Sequence, residues 1–448
     1  MRVQRDGRSF TVEVTADGDG LVSHAGSALL AQVADKSGLT RALSGELAAL
    51  RERRSGHDPG QVVRDLAVML SDGGDCLADL RAVRDQAPLF GQVASDSTAF
   101  RVIDAIASDP DGLERLRIAH ARARTRTWAL AGAPKRLTID LDATLVGAHS
   151  DKEGAAGTFK GGFGFHPMLA YADESGEALA GELRPGNAGA NTAADQIQVA
   201  EQAIEQIPAE HIETIDLVLR VDSAGATHEL LDWCCEGQIR FSVGYDLTET
   251  VRRAILQIPD DAWVCALDQD GTQRRNGQVV ELTDGLDLTG WPQGSRVLVR
   301  RERPHPGAQL SFSDVDGHRF QAILTDQPGD IQALECGHRA RARVEDHIRS
   351  DKDTGLSNLP FRGFAHNRVW LQIVLIAHDL LAWTQRLLLT GELARSEPKR
   401  LRYRLLHIAA RLAFHARGAA LRLQRNWPWA ADLAHAFARL RALPGPAG

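Results

Sequence analysis

Apolar residues recur at helical intervals in 28–33, 61–70 and 76–83, after a short hairpin expected over 9–14. Between them, Ser71-Asp72-Gly73-Gly74-Asp75 reads as a turn, and Ser95-Asp96-Ser97-Thr98 supplies N-caps for a helix through Ile106. After Ala131-Gly132-Ala133-Pro134 the period falls to two: Leu137, Ile139 and Leu141 alternate with Thr138, Asp140 and Asp142, the pattern of a half-buried strand with carboxylates on one face. A glycine-rich stretch, 147–164, leads to strands at 168–171 and 178–183 joined by a turn at 173–176, an antiparallel meander. A helix is expected from Asn191 to about Ile207. The run 215–221 is almost wholly apolar and ends at Asp222, as a buried central strand does. A helix over 226–235 and a strand over 240–243 complete the order β-β-β-α-β-α-β. From 248 to 330 the chain is β-rich, with hairpin signals at Asp270-Gly271, Asn276-Gly277, Asp284-Gly285 and Asp316-Gly317. Helical periodicity returns at 340–348 and 367–389, and a basic helical pattern covers 402–425.

These shifts predict a mixed α/β protein in five regions: helical (1–130), α/β (131–247), a β-rich insertion (248–330), a return to the α/β core (331–392) and a basic helical tail (393–448). A length of 448 residues with 43% apolar and 25% charged residues gives each region material for a packed core and excludes a disordered or fibrous chain. Neither a signal-peptide pattern nor a membrane-length apolar run is present, and the five cysteines form no CxxC pair; a cytoplasmic location and no membrane partner are the expectation. Net charge changes the picture only when divided. The whole chain is at −7, but 393–448 holds eleven Lys and Arg against two acids, so a tail at +9 follows a body at −16. A basic tail suits a polyanion partner. The first three helices follow one another as in a helix-turn-helix, with Arg101 the expected contact to DNA; they are also an ordinary packing unit.

Three acids stand where the inferred topology brings them to one end of a single sheet: Asp142 on the first strand, Asp222 ending the fourth, and Glu345 on the helix after the insertion. Oxygen ligands of this kind hold hard divalent cations, which serve phosphodiester chemistry without a cysteine or histidine. Asp140 competes with Asp142, since both share a face of the strand; Asp142 is preferred because it lies nearer the strand's end. Cys336-Gly337-His338 and His166 lack the further ligands a zinc site needs. No P-loop or dinucleotide glycine motif is present, which argues against a metabolic nucleotide enzyme.

The order of elements, with acids on strand one, strand four and the last helix, is that of the ribonuclease-H-like nucleotidyl-transfer fold. The chain resembles the DDE transposases of bacterial insertion sequences, in the subgroup marked by a Tyr-x2-Arg-x3-Glu-x6-Lys signature behind a β-rich insertion. Here that run is His338-x2-Arg341-x3-Glu345-x6-Lys352, with His in place of Tyr, and Asp142-Ala143-Thr144 and Arg220-Val221-Asp222-Ser223-Ala224-Gly225 stand for the other two motifs. The resemblance implies that Asp142, Asp222 and Glu345 hold two Mg2+ ions, with Mn2+ as a substitute. It further implies that Arg341 and Lys352 bind phosphate near the scissile bond, with His338 in the place of the phosphate-positioning Tyr. An i,i+4 surface pair between Arg341 and Glu345 is the plainer alternative for that helix. Trp291 is similar to an aromatic that related transposases stack on a flipped base, and equally reads as the core of the insertion. Lys152 and Lys160 are further candidates for backbone phosphate. The activity implied is cut-and-paste transposition on double-stranded DNA: cleavage at terminal inverted repeats, then joining to target DNA by a homodimer at the nucleoid. The rivals are a decayed or co-opted DNA-binding copy and a ribonuclease-H-like nuclease without strand transfer.

Overall fold

The computed structural model describes all residues except 7, 52–55, 190–191, 305–313, 316, 417 and 446–448. The opening hairpin pairs Arg2–Arg5 with Arg8–Thr11, earlier than the spacing suggested. The amphipathic stretches become helices α1 (Ser27–Lys36), α2 (Pro59–Asp72), α3 (Asp96–Ser108) and α4 (Gly112–Ala131). Their starts follow local chemistry: the Asp58 carboxylate accepts from the Gln61 N–H at 3.0 Å, and Ser95 Oγ from the Thr98 N–H at 3.3 Å. The segment 76–83, expected to be a helix, is instead a 3-10 turn (Leu77–Leu80) and one helical turn (Arg81–Arg84), in which Leu80 and Val83 are buried and Leu77 half-buried.

The catalytic-fold strands are β1 (Arg136–Ala143), β2 (Met168–Ala172), β3 (Glu177–Glu182), β4 (Asp216–Val221) and β5 (Arg240–Tyr245), with α5 (Ala193–Glu205) and α6 (His228–Glu236) between them. β1 and β2 are antiparallel, as are β2 and β3, while β4 is parallel to β1 and β5 parallel to β4, giving the order β3-β2-β1-β4-β5 of a ribonuclease-H-like core. The expected start of α5, Asn191, lies outside the described residues. The β-rich segment contributes β6 (Val264–Leu267), β7 (Gln273–Glu281), β8 (Arg296–Glu302) and β9 (His318–Thr325). It is not a separate sheet. β9 pairs antiparallel with β5, so the sheet runs β6-β7-β8-β9-β5-β4-β1-β2-β3, with the two-residue strand Asp314–Val315 on β9 making ten. Asp270-Gly271 turns between β6 and β7 as expected, and Asp284-Gly285 lies in a 3-10 turn. Asn276-Gly277 is a correction: both lie inside β7, where Gly277 faces Glu302 of β8 and the residues 274–277 are taken up as an irregularity in the pairing with β6 rather than as a turn. Asp316 of the fourth signal lies outside the described residues.

Helices α7 (Ile331–Arg339), α8 (Arg343–Asp351) and α9 (Phe364–Leu388) follow. α9 is buried along most of its length, and one core joins it to α1, α2, α3 and the tail; the faces of the sheet nearer α5 and α6 close a second. Asp379, buried on α9, is fully paired: its carboxylate takes hydrogen bonds from Arg124 Nη2 at 2.5 Å and the Ala178 N–H at 2.7 Å, and His120 Nε2 lies 2.7 Å away. Trp128 and Trp383 donate to Glu177 at 2.8 and 2.7 Å, tying α4, β3 and α9.

The tail corrects the helical reading of 402–425. β10 (Ala410–His415) and β11 (Gly418–Leu423) form a hairpin, β10 pairs with Leu21–Val22, and helix α10 spans Ala430–Ala442. Half-buried Leu412, Leu421 and Leu423 alternate with exposed Arg411 and Arg422, a period of two that the arginine-rich composition masked.

Candidate active site

The site begins with the parallel pairing of β1 and β4, which brings their C-terminal ends to one edge. Asp142 is the second-last residue of β1, and Asp222 directly follows β4. The Asp222 side chain accepts from the Ala224 N–H at 3.0 Å and so fixes the turn Ser223–Gly225. That turn sits on β5 at Gly244, where a Cβ would come within 2.7 Å of the Ser223 nitrogen; only glycine lets the two segments approach. Glu345 projects from the first turn of α8 and is exposed.

Arg341 lies in the 3-10 turn between α7 and α8 rather than on one continuous helix with Glu345. Its guanidinium stands 3.1 Å from Asp142 Oδ1 and 3.7 Å from Asp222 Oδ2; among the described ion pairs it joins these two acids and not Glu345. The surface-pair alternative is therefore not realised. Asp222, Arg341, Glu345, His338, Tyr245 and Arg300 line one cleft of about 560 Å³. Burial raises the Asp142 pKa, Arg341 pulls it back, and the charges of Asp222 and Glu345 push it up again.

Asp140 is a different kind of residue. Both its oxygens are taken by Arg220, at 2.6 and 2.7 Å, and Arg220 also meets Asp173 at 3.0 Å. Asp140 is fully buried, and burial lifts its pKa to about 6 against the pull of Arg220. It is the anchor of a buried ion pair behind the cleft. The expectation of carboxylates on an open strand face holds for Asp142 alone, because β1 is central and covered on both sides.

The remaining sequence candidates divide. His338 joins the cleft, with Nδ1 2.8 Å from Ser242 Oγ; burial, with the charges of Arg220, Arg341 and Arg300, holds its pKa down at about 3, so the imidazole is neutral. Lys352 donates to Thr144 Oγ1 at 2.7 Å, two residues beyond Asp142, and burial followed by the nearby Lys160 lowers its pKa. Trp291 lies in the loop between β7 and β8 and does not line the cleft: His228 stacks on its face at 4.2 Å and Tyr245 meets it edge-on at 5.7 Å. Lys152 donates to the Leu359 carbonyl, while Lys160 and Arg101 are exposed. His166 Nδ1 is 2.8 Å from the Ala188 carbonyl and Cys336 contacts the Asp268 carbonyl, so these residues do not gather around a soft metal.

The three acids offer only oxygen, and a cationic guanidinium already lies between two of them; both observations fit a hard divalent cation. Among the described residues, the groups whose ligand atoms already lie within 4.8 Å of one another are elsewhere, at His24, Asp72 and His407 and at Asp75, Cys76 and Asp79. Asp142, Asp222 and Glu345 are not among those groups.

The family model described as "Transposase DDE domain group 1" matches residues 4–445, almost the whole chain. The chain belongs to the DDE transposases. Membership implies nuclease and transposition activity, and transposases of this family generally use divalent metal ions. Among solved structures, the chain is similar to the piggyBac transposase synaptic complex with hairpin DNA, at 9% identity over 85% of this chain and 80% of that one, with a TM-score of 0.44. No curated protein sequence matches.

This DDE transposase also carries cleft residues that the motifs did not announce. Tyr245 ends β5, and Arg300 comes to line the cleft because the β-rich segment extends the catalytic sheet at β5. The turn signals marked 248–330 as β-rich but did not say which core strand it would join. No helix among the described residues is long and apolar enough to cross a membrane.

Proposed function

We propose that this transposase cuts double-stranded DNA at the terminal inverted repeats of an insertion sequence and joins the freed 3′-hydroxyls to target DNA. It would belong to the subgroup with the Tyr-Arg-Glu-Lys signature. The observation that carries the reading is that Asp222 and Glu345, from the end of β4 and from α8, line one cleft whose Arg341 joins Asp222 to Asp142 on β1.

Asp142, Asp222 and Glu345 would hold two Mg2+ ions, or Mn2+ in their place. Bound there, such ions lower the pKa of the attacking water and stabilise the leaving oxygen. Arg341 serves as counter-charge to Asp142 and Asp222 in the DNA-free protein and, with Lys352, receives the phosphate near the scissile bond. A neutral His338 takes the signature's Tyr position; like a phenol, it can hydrogen-bond phosphate without adding charge. The same cleft accepts water and then a DNA hydroxyl as nucleophile. Two ends joined in one event call for two copies of the chain, hence a homodimer on DNA.

The test is cleavage of the DNA flanking this reading frame, with Mg2+ and with EDTA, by the wild type and Glu345→Gln. Metal-dependent cuts at the repeat ends that vanish in the variant, while binding persists, are expected. Cuts retained by Glu345→Gln would remove Glu345 from the site, and cuts in RNA without strand transfer would replace a transposase with a nuclease.

A further inference from the structure

The glycine-rich segment after β1 is a built element rather than a solvated loop. Val146–Gly147, Ala156–Gly157 and Phe163–Phe165 make a small three-stranded antiparallel sheet. Its tip is fixed from within. The Thr158 N–H donates to the Gly162 carbonyl at 3.0 Å, the Gly161 N–H to the Thr158 carbonyl at 3.0 Å, and Thr158 Oγ1 to the Gly161 carbonyl at 2.8 Å. Gly161 and Gly162 have φ of +83° and +84°, which side-chain-bearing residues rarely adopt.

The residues this turn holds out are Phe159 and Lys160. Phe159 is 74% exposed, and Phe163 on the adjoining strand is 53% exposed. A large aromatic ring fixed in water by a rigid turn gains nothing for the fold, and so marks a contact surface. Its place relative to the cleft follows from a short chain of contacts. The Phe159 ring lies 6.0 Å from His166; the next residue, Pro167, accepts the Thr144 N–H at 3.1 Å; and Thr144 accepts from Lys352, two residues past Asp142. Lys160 is close enough to Lys352 for its charge to be felt there. An exposed aromatic ring with the Lys160 ammonium 5.7 Å from its centroid matches one ligand on both counts: a nucleotide, with a base to stack and a phosphate to neutralise. Trp291 cannot offer this, since its face is covered by His228.

We propose that Phe159 stacks on the unpaired terminal base of the DNA end and that Lys160 holds a phosphate of the same end, so that the Thr158–Gly162 finger positions the scissile bond over the acids. The proposal rests on the DNA-end reading above.

The test uses the full chain and a duplex of the bordering terminal sequence with 2-aminopurine as the terminal base, in EDTA so that binding is read without cleavage. The wild type and Glu345→Gln should raise the 2-aminopurine fluorescence several-fold on binding, and the same probe at an interior position should not respond. Phe159→Ala should abolish the rise and weaken end binding roughly tenfold to a hundredfold, with an unchanged melting temperature because the side chain is exposed. Phe159→Trp should restore binding. If Phe159→Ala binds the end as tightly as wild type and gives the same signal, the finger has no such role although the DNA-end reading stands. If Phe159→Trp fails to restore binding, stacking is excluded. Should the wild type not bind the terminal duplex, the DNA-end reading fails and the finger's role with it.

Discussion

Asp140 and Asp142 stand two residues apart on one strand, and their surroundings separate them completely. Asp140 has both oxygens on Arg220 in a dry interior, whereas Asp142 shares a guanidinium with Asp222 at the edge of an open cleft. Asp140→Ala would take two charge-assisted hydrogen bonds from buried Arg220 and leave it Asp173 as its one acidic partner, a loss of up to about 3 kcal/mol. Asp140→Ala is therefore expected to lower the urea midpoint strongly through the loss at Arg220, and to impair cutting only as far as it unfolds the protein. Asp142→Ala should do the reverse: cutting disappears while the midpoint moves little, because Arg341 keeps Asp222. Parallel denaturation and cleavage assays separate the two roles, and a stable but inactive Asp140→Ala protein would exchange them. The sequence could not make this distinction. Alternation places both acids on the same face, but Arg220, eighty residues away, closes half of that face and cannot be seen from local pattern.

At the level of elements, legibility followed the range of the forces involved. The meander β1 to β3, the central strand β4 and the long helix α9 were readable because their burial is set by their own apolar periodicity. The places that went differently are those where a distant neighbour decides. Asn276-Gly277 has turn chemistry, yet pairing with β8 carries the strand through it; the tail hairpin forms because β10 finds an edge at Leu21–Val22. That hairpin carries a testable consequence. Arg411 and Arg422 are direct cross-strand partners, both exposed, an arrangement that disfavours the hairpin unless an anion lies across it. Phosphate of bound DNA is the anion expected. Arg411→Ala with Arg422→Ala should weaken end binding and reduce the slope of log K against log salt by about 2, one for each phosphate no longer neutralised. An unchanged slope would leave these arginines as solvated surface, and the basic charge of the tail would need another explanation. Not all of that charge is available in any case. Arg402 is buried and donates to the Ser71 and Asp353 carbonyls at 2.9 and 2.5 Å, so it stitches the tail to α2 and the segment after α8.

For the molecule as a whole, α9 is the member against which the N-terminal helices, the sheet and the tail are all assembled, and the one core they share makes them interdependent. Deleting the chain beyond 393 should consequently abolish a cooperative melting transition rather than yield a folded protein with weaker DNA binding. A truncated chain that melts at the wild-type temperature would show the tail to be an appendage. The same assembly contains a proton switch on stability. His378, midway along α9, has Nδ1 2.6 Å from Asp351 at the end of α8 and Nε2 2.9 Å from the Gly176 carbonyl in the turn between β2 and β3, and Tyr171 donates to the other Asp351 oxygen at 2.5 Å. Burial alone would depress the pKa of His378. The charge and hydrogen bond of Asp351, with Asp379 behind it, outweigh burial and raise the value to about 9. In the unfolded chain the imidazole titrates near 6.5, as in any peptide. The folded state therefore binds this proton more tightly, and its contribution is fully present below about pH 6.5. As pH rises from there through about 9 the contribution is lost, up to roughly 3 kcal/mol for a shift of this size. Urea midpoints of the wild type should fall across that window more steeply than those of His378→Gln, which has no proton to lose there. Charge effects common to both proteins cancel in the difference, so parallel curves would show that His378 is neutral in the folded protein and that α8 and α9 are held together by packing alone.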